Sequence, residues 1–224
     1  MFVELSFSLD AGLPVYPGSP REEIIPVGRM DQGAVCNKSI VKHYLHNGTH
    51  VDAPWHFFAK GTTIDQIPIE NFVYQKPLIV SKELKKGELF ELDDLKRYGK
   101  NLSEADIIFF CSGFSKFAED ISIYGDDFPA LSPETAEFIR TELLNVKAVA
   151  IDTLSIESAT LGPKENLRVH RALLDGQLFQ TRPLLVYENV AIERILHKPV
   201  KRIYAFPLRF IGLDASPVNM VAEI

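Results

Sequence analysis

The chain has 224 residues, 46% of them hydrophobic and 24% charged, which is typical of a globular protein with a sizeable core. Its 30 acidic and 24 basic residues give a net charge of −6 without a basic stripe, so we expect no nucleic acid partner. Two widely spaced cysteines exclude a disulfide scaffold and favour a reduced, cytoplasmic protein. We find no signal peptide and no apolar run of membrane-spanning length, so no membrane partner is expected.

The first part of the chain predicts strands and turns. Residues 2–6 alternate between apolar and polar side chains and are predicted to form a strand. A loop rich in proline and glycine follows over residues 13–20. Residues 22–27 and 38–45 predict two further strands, which lead into the most unusual segment of the sequence.

That segment is residues 46–56, which holds three of the six histidines together with one aspartate, a glycine and a proline. Side chains alternate between the two faces of an extended strand. The polar side chains that would share one face are His46, His50, Asp52 and His56. The side chains that would point the other way, into a core, are Val51, Ala53 and Trp55.

A helix is the alternative conformation for this segment, since His46 and His50 lie four residues apart and would also share a helical face. Gly48, the β-branched Thr49 and Pro54 argue against a helix through the middle. We therefore predict a strand that runs into a kinked loop at Pro54.

The residue types in this segment indicate a metal site. Two imidazoles and a carboxylate are ordinary ligands of a catalytic zinc ion, which keeps a further position for water. His46, His50 and Asp52 are therefore candidate ligands, and His56 on the same face is a candidate proton-transfer group. The alternative is a set of surface or core histidines beside a turn, but three histidines and an aspartate in phase favour the metal site.

The rest of the chain predicts strands alternating with helices. Six strands are predicted, at residues 77–80, 106–111, 148–151, 184–190, 202–207 and 218–224. A short helix over residues 93–98 is expected to end at Gly99, and a longer one to start at the N-cap Ser132 and end near Asn145. The predicted buried face of the longer helix is Ala136, Ile139, Leu143 and Leu144. Without repeats or linkers, residues 1–224 are expected to form one domain.

The pattern His-x-Gly-Thr-His-x-Asp-x-Pro-x-His over residues 46–56 resembles the signature of the cyclase-like metal-dependent hydrolases, a family that includes bacterial kynurenine formamidase and isatin hydrolase. The resemblance is dense in this block and thin over most of the remaining chain. It implies an α/β fold, a single-domain mixed sheet with packed helices of the swivelling β/α/β type.

The resemblance also implies a second metal position. The segment that begins at His170 resembles the family segment whose histidine binds the second metal, and residues 184–190 resemble the strand whose glutamate completes that site. We carry over His170 and Glu188 as ligands on this basis, with Asp52 bridging the two metals. Glu193 is the weaker match because it lies in a helical pattern, and residues 179–183 are extra length relative to the family.

Three further positions are compared with the family pattern. Ser19 stands where family members carry an aspartate, a difference that bears on a loop contact and on substrate preference. Phe114 replaces a tryptophan and is expected either to shape the substrate pocket or to pack in the core. Asp152 follows a buried strand and is expected either to support a metal-bound histidine or to cap a turn.

The chemistry that the resemblance implies is hydrolysis of a small-molecule amide by a metal-activated hydroxide. Zinc, two ions per chain, is the first expectation for the metal, and manganese is the alternative. His56 would take a proton from the nucleophile and pass it to the leaving nitrogen. A homodimer or a larger homo-oligomer is also implied.

Three functional hypotheses remain open. The first is an arylformamidase of tryptophan catabolism that converts N-formylkynurenine to kynurenine and formate. The second is a hydrolase of another cyclic amide or lactone, as in isatin hydrolysis. The third is a metal-binding or ligand-binding protein without turnover, which would have no use for His56. A serine hydrolase is unsupported, since the sequence has no Gly-x-Ser-x-Gly elbow.

Overall fold

The computed structural model describes residues 1–125 and 127–224 and has a mixed α/β architecture. The strands are β1 (Phe2–Glu4), β2 (Glu23–Gly28), β3 (Lys38–Lys42), β4 (His50–Asp52), β5 (Val73–Tyr74), β6 (Pro77–Ser81), β7 (Leu89–Phe90), β8 (Ile107–Cys111), β9 (Ala130–Leu131), β10 (Ala148–Ile151), β11 (Leu185–Glu188), β12 (Arg202–Pro207) and β13 (Ala215–Glu223). The helices are α1 (Leu92–Lys96), α2 (Gly99–Glu104), α3 (Ile121–Tyr124), α4 (Pro133–Glu142) and α5 (Arg168–Leu174). No helix in these two ranges is long and apolar enough to cross a membrane.

A nine-stranded sheet organises the molecule, with the order β5-β12-β13-β4-β11-β10-β8-β6 and with β1 paired to β13. Strands β11, β10, β8 and β6 run parallel to one another. Strands β4, β13, β12 and β5 pair antiparallel. The predicted mixed sheet is confirmed, and β4 is the strand that joins its parallel and antiparallel halves.

The core lies on both faces of this sheet. Along β8, Ile108 and Phe110 pack into the apolar cluster on one face, while Ile107, Phe109 and Cys111 pack into the cluster on the other. Every residue of β8 is buried, as expected for a strand in the parallel part of a sheet covered on both faces. Cys111 is therefore a packed core residue.

The motif segment differs from its prediction in its extent. Only His50–Asp52 is a strand, and residues 45–49 form turns in which Gly48 has a positive φ of 63°. A 3-10 turn, Pro54–His56, follows the strand, so the predicted kink at Pro54 is confirmed. The predicted burial of Trp55 is wrong, because this turn leaves its side chain 41% exposed.

Two helix boundaries also differ from prediction. Gly99 does not end the first helical region; it begins α2, at a positive φ of 51°. Helix α4 starts as predicted, with the Ser132 hydroxyl accepting from the Thr135 amide, but it ends at Glu142. Leu144 therefore lies beyond the helix and is 66% exposed, in contrast to its predicted burial.

One element stands apart from the body of the molecule. Strands β2 and β3 pair only with each other, and none of residues 23–42 is buried. We call residues 23–42 the arm. Its exposed large apolar side chains are Ile24, Val27, Met30, Val35, Ile40 and Val41.

Candidate active site

Strand pairing places the motif residues beside distant parts of the chain. His50 lies directly opposite Glu188 in the pairing of β4 with β11. Asp52 lies opposite Ala215 at the start of β13. Helix α5 packs near β11 and the turn after β4 and contributes His170. The sheet register therefore brings segments more than a hundred residues apart to one point.

All five predicted metal ligands meet around the carboxylate of Asp52. His46 Nδ1 lies 2.9 Å and His50 Nε2 3.5 Å from Asp52 Oδ1. His170 Nε2 lies 3.8 Å from Asp52 Oδ2 and 3.2 Å from Glu188 Oε1. His50 Nε2 is also 3.3 Å from Glu188 Oε2. Each histidine thus turns one ring nitrogen towards Asp52, and His50 and His170 also turn theirs towards Glu188.

The other nitrogen of each of these rings has a hydrogen-bond acceptor outside the cluster. The three pairs are His50 Nδ1 with the Gly48 carbonyl at 2.9 Å, His170 Nδ1 with Glu157 Oε2 at 3.3 Å, and His46 Nε2 with Asp214 Oδ2 at 3.0 Å. Because carbonyl and carboxylate oxygens only accept, each outer nitrogen must carry the hydrogen. Metal-binding histidines are held in this way, with the inner nitrogen left to the ion.

Unpaired buried atoms show that this donor set fits a divalent cation. His50 Nε2 and both carboxylate oxygens of Asp52 are buried and have no hydrogen-bond partner among the described residues. Buried polar groups are costly without a partner, and a bound cation would satisfy all three atoms. Imidazole nitrogens and carboxylate oxygens are also the ligands that zinc uses.

The candidate ligand atoms form two geometric groups that share Asp52. His50, Asp52 and Glu188 form one cluster, and His46, Asp52 and His56 form another, each with its ligand atoms within 4.8 Å of one another. Sequence reasoning paired His50 with His46, whereas the strand register pairs His50 with Glu188. Which residues share an ion stays a prediction.

Two of the site histidines, His46 and His170, are favoured in their protonated form when no metal is bound. Burial alone would lower the pKa of His46, but Asp52 and Asp214 outweigh it and raise the pKa to about 11. Burial likewise opposes protonation of His170, yet its contacts, with Glu157 first, raise the pKa to about 10. A metal ion must therefore displace protons from these rings when it binds.

A cavity of about 260 Å³ opens above the cluster. Apart from the candidate ligands, His56 and Glu157, the residues that line the cavity are Tyr16, Ser19, Tyr44, Phe57, Leu154, Ser155 and Leu167. Phe57 stacks on the His170 ring with centroids 4.9 Å apart and an interplanar angle of 14°. A small pocket with several aromatic side chains and a polar floor suits a small aromatic ligand.

His56, the predicted proton-transfer residue, lines this cavity beside the cluster. Its Nδ1 lies 2.9 Å from Asp214 Oδ2, and its ring centroid is 4.2 Å from that of His46. The side chain is 27% exposed. His56 therefore lies within reach of both the candidate metal cluster and solvent.

The structure assigns places to the three residues whose roles the sequence left open. Asp152 caps the turn after β8, accepting from the Ser112 and Gly113 amides at 2.9 Å each, and burial raises its pKa to about 6. Phe114 is buried in a core cluster and stacks on Tyr124, outside the cavity wall. Ser19 does line the cavity.

Sequence reasoning missed two acidic residues of the site, Asp214 and Glu157. Asp214 immediately precedes β13, and Glu157 follows β10 by six positions in a loop. Each contacts a predicted site histidine, but neither lies in a periodic pattern. An acid just before a strand was the available signal for Asp214, and the pairing of that strand with β4 could not be deduced from the sequence.

Comparison with known proteins gives a consistent result. The family model described as "Putative cyclase" matches residues 3–158. A kynurenine formamidase of Delftia acidovorans is 27% identical over 218 residues, which cover 97% of this chain and 95% of that protein. An isatin hydrolase bound to the product analogue thioisatinate has the same fold, with a TM-score of 0.83 at 16% identity over 100% of this chain and 92% of that one.

A further solved structure, described as a potential metal-dependent hydrolase with cyclase activity, gives a TM-score of 0.73 at 21% identity and covers 99% of this chain and 96% of that one. The two structural similarities show that the fold predicted from the motif is correct. The family match spans well over half of the sequence and includes the whole 46–56 motif. The chain belongs to the cyclase family.

Proposed function

We propose that this protein is a metal-dependent amidohydrolase and that it acts as an arylformamidase, converting N-formylkynurenine to kynurenine and formate. The observation that carries the proposal is the convergence of three imidazole nitrogens on the unsatisfied Asp52 carboxylate, at the floor of a small aromatic cavity. The similarity to a kynurenine formamidase supports the choice of substrate.

The residues that would hold the metal are His46, His50, Asp52, His170 and Glu188. We propose two zinc ions per chain, with manganese as the alternative. Divalent cations of this kind lower the pKa of a water molecule and polarise a carbonyl group. The donor set of imidazoles and carboxylates agrees with either metal, and the larger share of imidazole favours zinc.

The protein's own groups would perform the remaining tasks. Tyr16, Tyr44 and Phe57 would hold the aryl ring and keep bulk water from the reacting carbonyl. His56 would accept a proton from the nucleophilic water and deliver it to the leaving nitrogen, because imidazole exchanges protons near neutral pH. The departing aniline nitrogen needs that proton to leave as a neutral amine.

The experiment that tests this function is hydrolysis of N-formylkynurenine by the zinc-loaded protein, the metal-stripped protein and the Asp52→Asn variant. We expect turnover by the loaded protein and none in the two controls. Zinc-loaded protein that binds metal but leaves N-formylkynurenine intact would contradict the formamidase. Isatin is the second substrate in the same assay, because the fold is shared with an isatin hydrolase.

We propose further that the protein acts in the cytoplasm as a single catalytic domain over residues 1–224 and as a homodimer or larger homo-oligomer. The arm supports self-association, because a two-stranded ribbon with exposed apolar side chains on its own is only marginally stable in water. Light scattering of the wild type and of Ile40→Glu tests this: we expect a dimer or larger assembly that the charged side chain dissociates.

A further inference from the structure

One carboxylate oxygen connects the two histidines at the edge of the site. Asp214 Oδ2 lies 3.0 Å from His46 Nε2 and 2.9 Å from His56 Nδ1. The two rings lie against each other, with centroids 4.2 Å apart and planes inclined by 34°. We propose that Asp214 is a positioning residue that fixes the tautomers of both histidines. This deepens the proposed hydrolase and rests on it for the roles of His46 and His56.

The backbone holds Asp214 in place independently of these side chains. The Asp214 carbonyl accepts from the Ala53 amide at 2.8 Å, and the preceding Leu213 carbonyl accepts from the Ile64 amide at 3.0 Å. The following residue, Ala215, pairs with Asp52 across β13 and β4. The segment is thus attached to the chain within the motif and just after it, so the carboxylate position is set by the backbone rather than by the histidines.

The tautomers follow from the chemistry of a carboxylate. An ionised carboxylate oxygen only accepts hydrogen bonds, so both nitrogens that contact Asp214 Oδ2 must carry hydrogen. In the neutral rings, the lone pair is then left on His46 Nδ1 and on His56 Nε2. A carboxyl group with the ordinary aspartate pKa of about 3.9 is ionised at neutral pH.

Each lone pair is where the proposed chemistry needs it. His46 Nδ1 faces Asp52 Oδ1 at 2.9 Å, an acceptor against an acceptor, which is favourable only with a proton or a cation between them. His56 Nε2 is the ring nitrogen that remains free to take a proton. One aspartate thereby prepares a ligand and a base at the same time, in the manner of the aspartate that orients a catalytic histidine.

The first test needs no substrate. We expect the ¹⁵N spectrum of the zinc-loaded wild type, labelled at histidine and recorded at about pH 8.5, above the ordinary histidine pKa of about 6.5, to show His56 protonated at Nδ1 only. The His56→Gln spectrum identifies which signals belong to His56. A ring protonated at Nε2 and free at Nδ1 would overturn the proposal whatever the substrate of the enzyme.

The second test removes the charge with little change of shape. In Asp214→Asn the amide can present an N–H to one of the rings, so one or both tautomers should reverse. We expect kcat to fall about 100-fold or more with KM changed less than about threefold, because orientation is lost and not ground-state binding. Zinc affinity, measured by chelator competition, should fall about 10-fold or more.

A matched control comes from a second buried acid–histidine pair. Glu22 Oε1 lies 3.1 Å from His43 Nδ1, and neither residue lines the cavity. Glu22→Gln should leave zinc affinity and kcat within about threefold of the wild type. If both substitutions lower zinc affinity equally, Asp214 has no special role and the proposal fails.

A double variant separates positioning from general loss of structure. Once His56 is replaced by Gln, the base is gone, so adding Asp214→Asn should lower kcat by much less than it does in the wild type. Equal losses in the two backgrounds would contradict the proposed action through His56. If the wild type hydrolyses no formamide, the ¹⁵N spectrum and the zinc affinity still test the positioning role of Asp214. The formamidase proposal and the Asp214 proposal can therefore fail independently of each other.

Discussion

The floor and the rim of the site are built in different ways. The floor consists of His50, Asp52 and Glu188, which lie on paired strands at the centre of the sheet and are almost fully buried. The rim consists of His46 and His56, which lie in turns before and after β4 and are partly exposed. In the proposed function, the strands of the floor supply three of the ligands, while the more accessible turns of the rim supply one further ligand and the proton-transfer group.

The largest effect is expected at the floor. Glu188→Gln removes a carboxylate that contacts both His50 and His170. Their inner nitrogens then keep only the longer approaches to the Asp52 carboxylate, at 3.5 and 3.8 Å. We expect zinc content to drop below one ion per chain and kcat to fall about 1,000-fold. Atomic absorption after gel filtration measures the first quantity. Full zinc content in this variant would show that the floor is not the metal site.

A rim substitution should separate chemistry from metal binding. His56→Gln keeps a polar side chain but cannot exchange protons, so kcat should fall by about 100- to 1,000-fold. Zinc content should remain that of the wild type, because the five proposed ligands, His46, His50, Asp52, His170 and Glu188, are unchanged. Simultaneous loss of zinc would place His56 among the ligands and remove the distinction between floor and rim.

A smaller effect on zinc binding is expected at Glu157, which contacts the candidate ligand His170. Glu157 accepts from both the backbone amide and Nδ1 of His170, at 2.9 and 3.3 Å. Glu157→Gln should weaken zinc binding about 10-fold while the loaded enzyme keeps most of its kcat. Chelator competition and saturating-zinc kinetics measure the two quantities. An unchanged zinc affinity would mean that this acid only supports the local backbone.

The smallest effect that we predict is a change in the Tm of the metal-free protein with pH. In the metal-free protein the pKa of His46 is raised to about 11 and that of His170 to about 10. Because these values exceed the unfolded value of about 6.5, the protonated rings contribute their full stabilisation below pH 6.5 and lose it as the pH rises through 10. We expect the Tm in chelator to fall by about 5 °C between pH 6.5 and 10. Bound zinc would replace these protons, so the loaded protein should show a flatter profile of Tm against pH. A Tm that rises with pH in chelator would contradict this.

Much of the fold and the identity of the candidate ligands could be predicted, the strands and the ligands of residues 46–56 from local pattern, and the fold type, His170 and Glu188 from the resemblance to a family. Residues 107–111 are apolar throughout and form a buried strand as expected, and the spacing of residues 46–56 indicated the ligands there. Even so, His46 reaches Asp52 from a turn, so the predicted convergence arises from a different backbone path.

The remainder depends on strand register, which the sequence does not encode locally. The pairing of His50 with Glu188 joins residues 138 positions apart, and Asp214 lies still further from His56. Exposure of Trp55 and Leu144 likewise depends on how neighbouring turns close. Side chains that a motif contains can be predicted, whereas the partners that orient them come from tertiary structure.

The cavity wall has a consequence for engineering. Ser19, Tyr16, Tyr44, Leu154 and Leu167 all lie in connecting segments, not in the strands that carry the floor. Loops tolerate substitution better than the elements that they connect. Libraries that vary these five positions could therefore redirect the substrate range of the scaffold towards other amides or lactones without dismantling its hydrolytic centre.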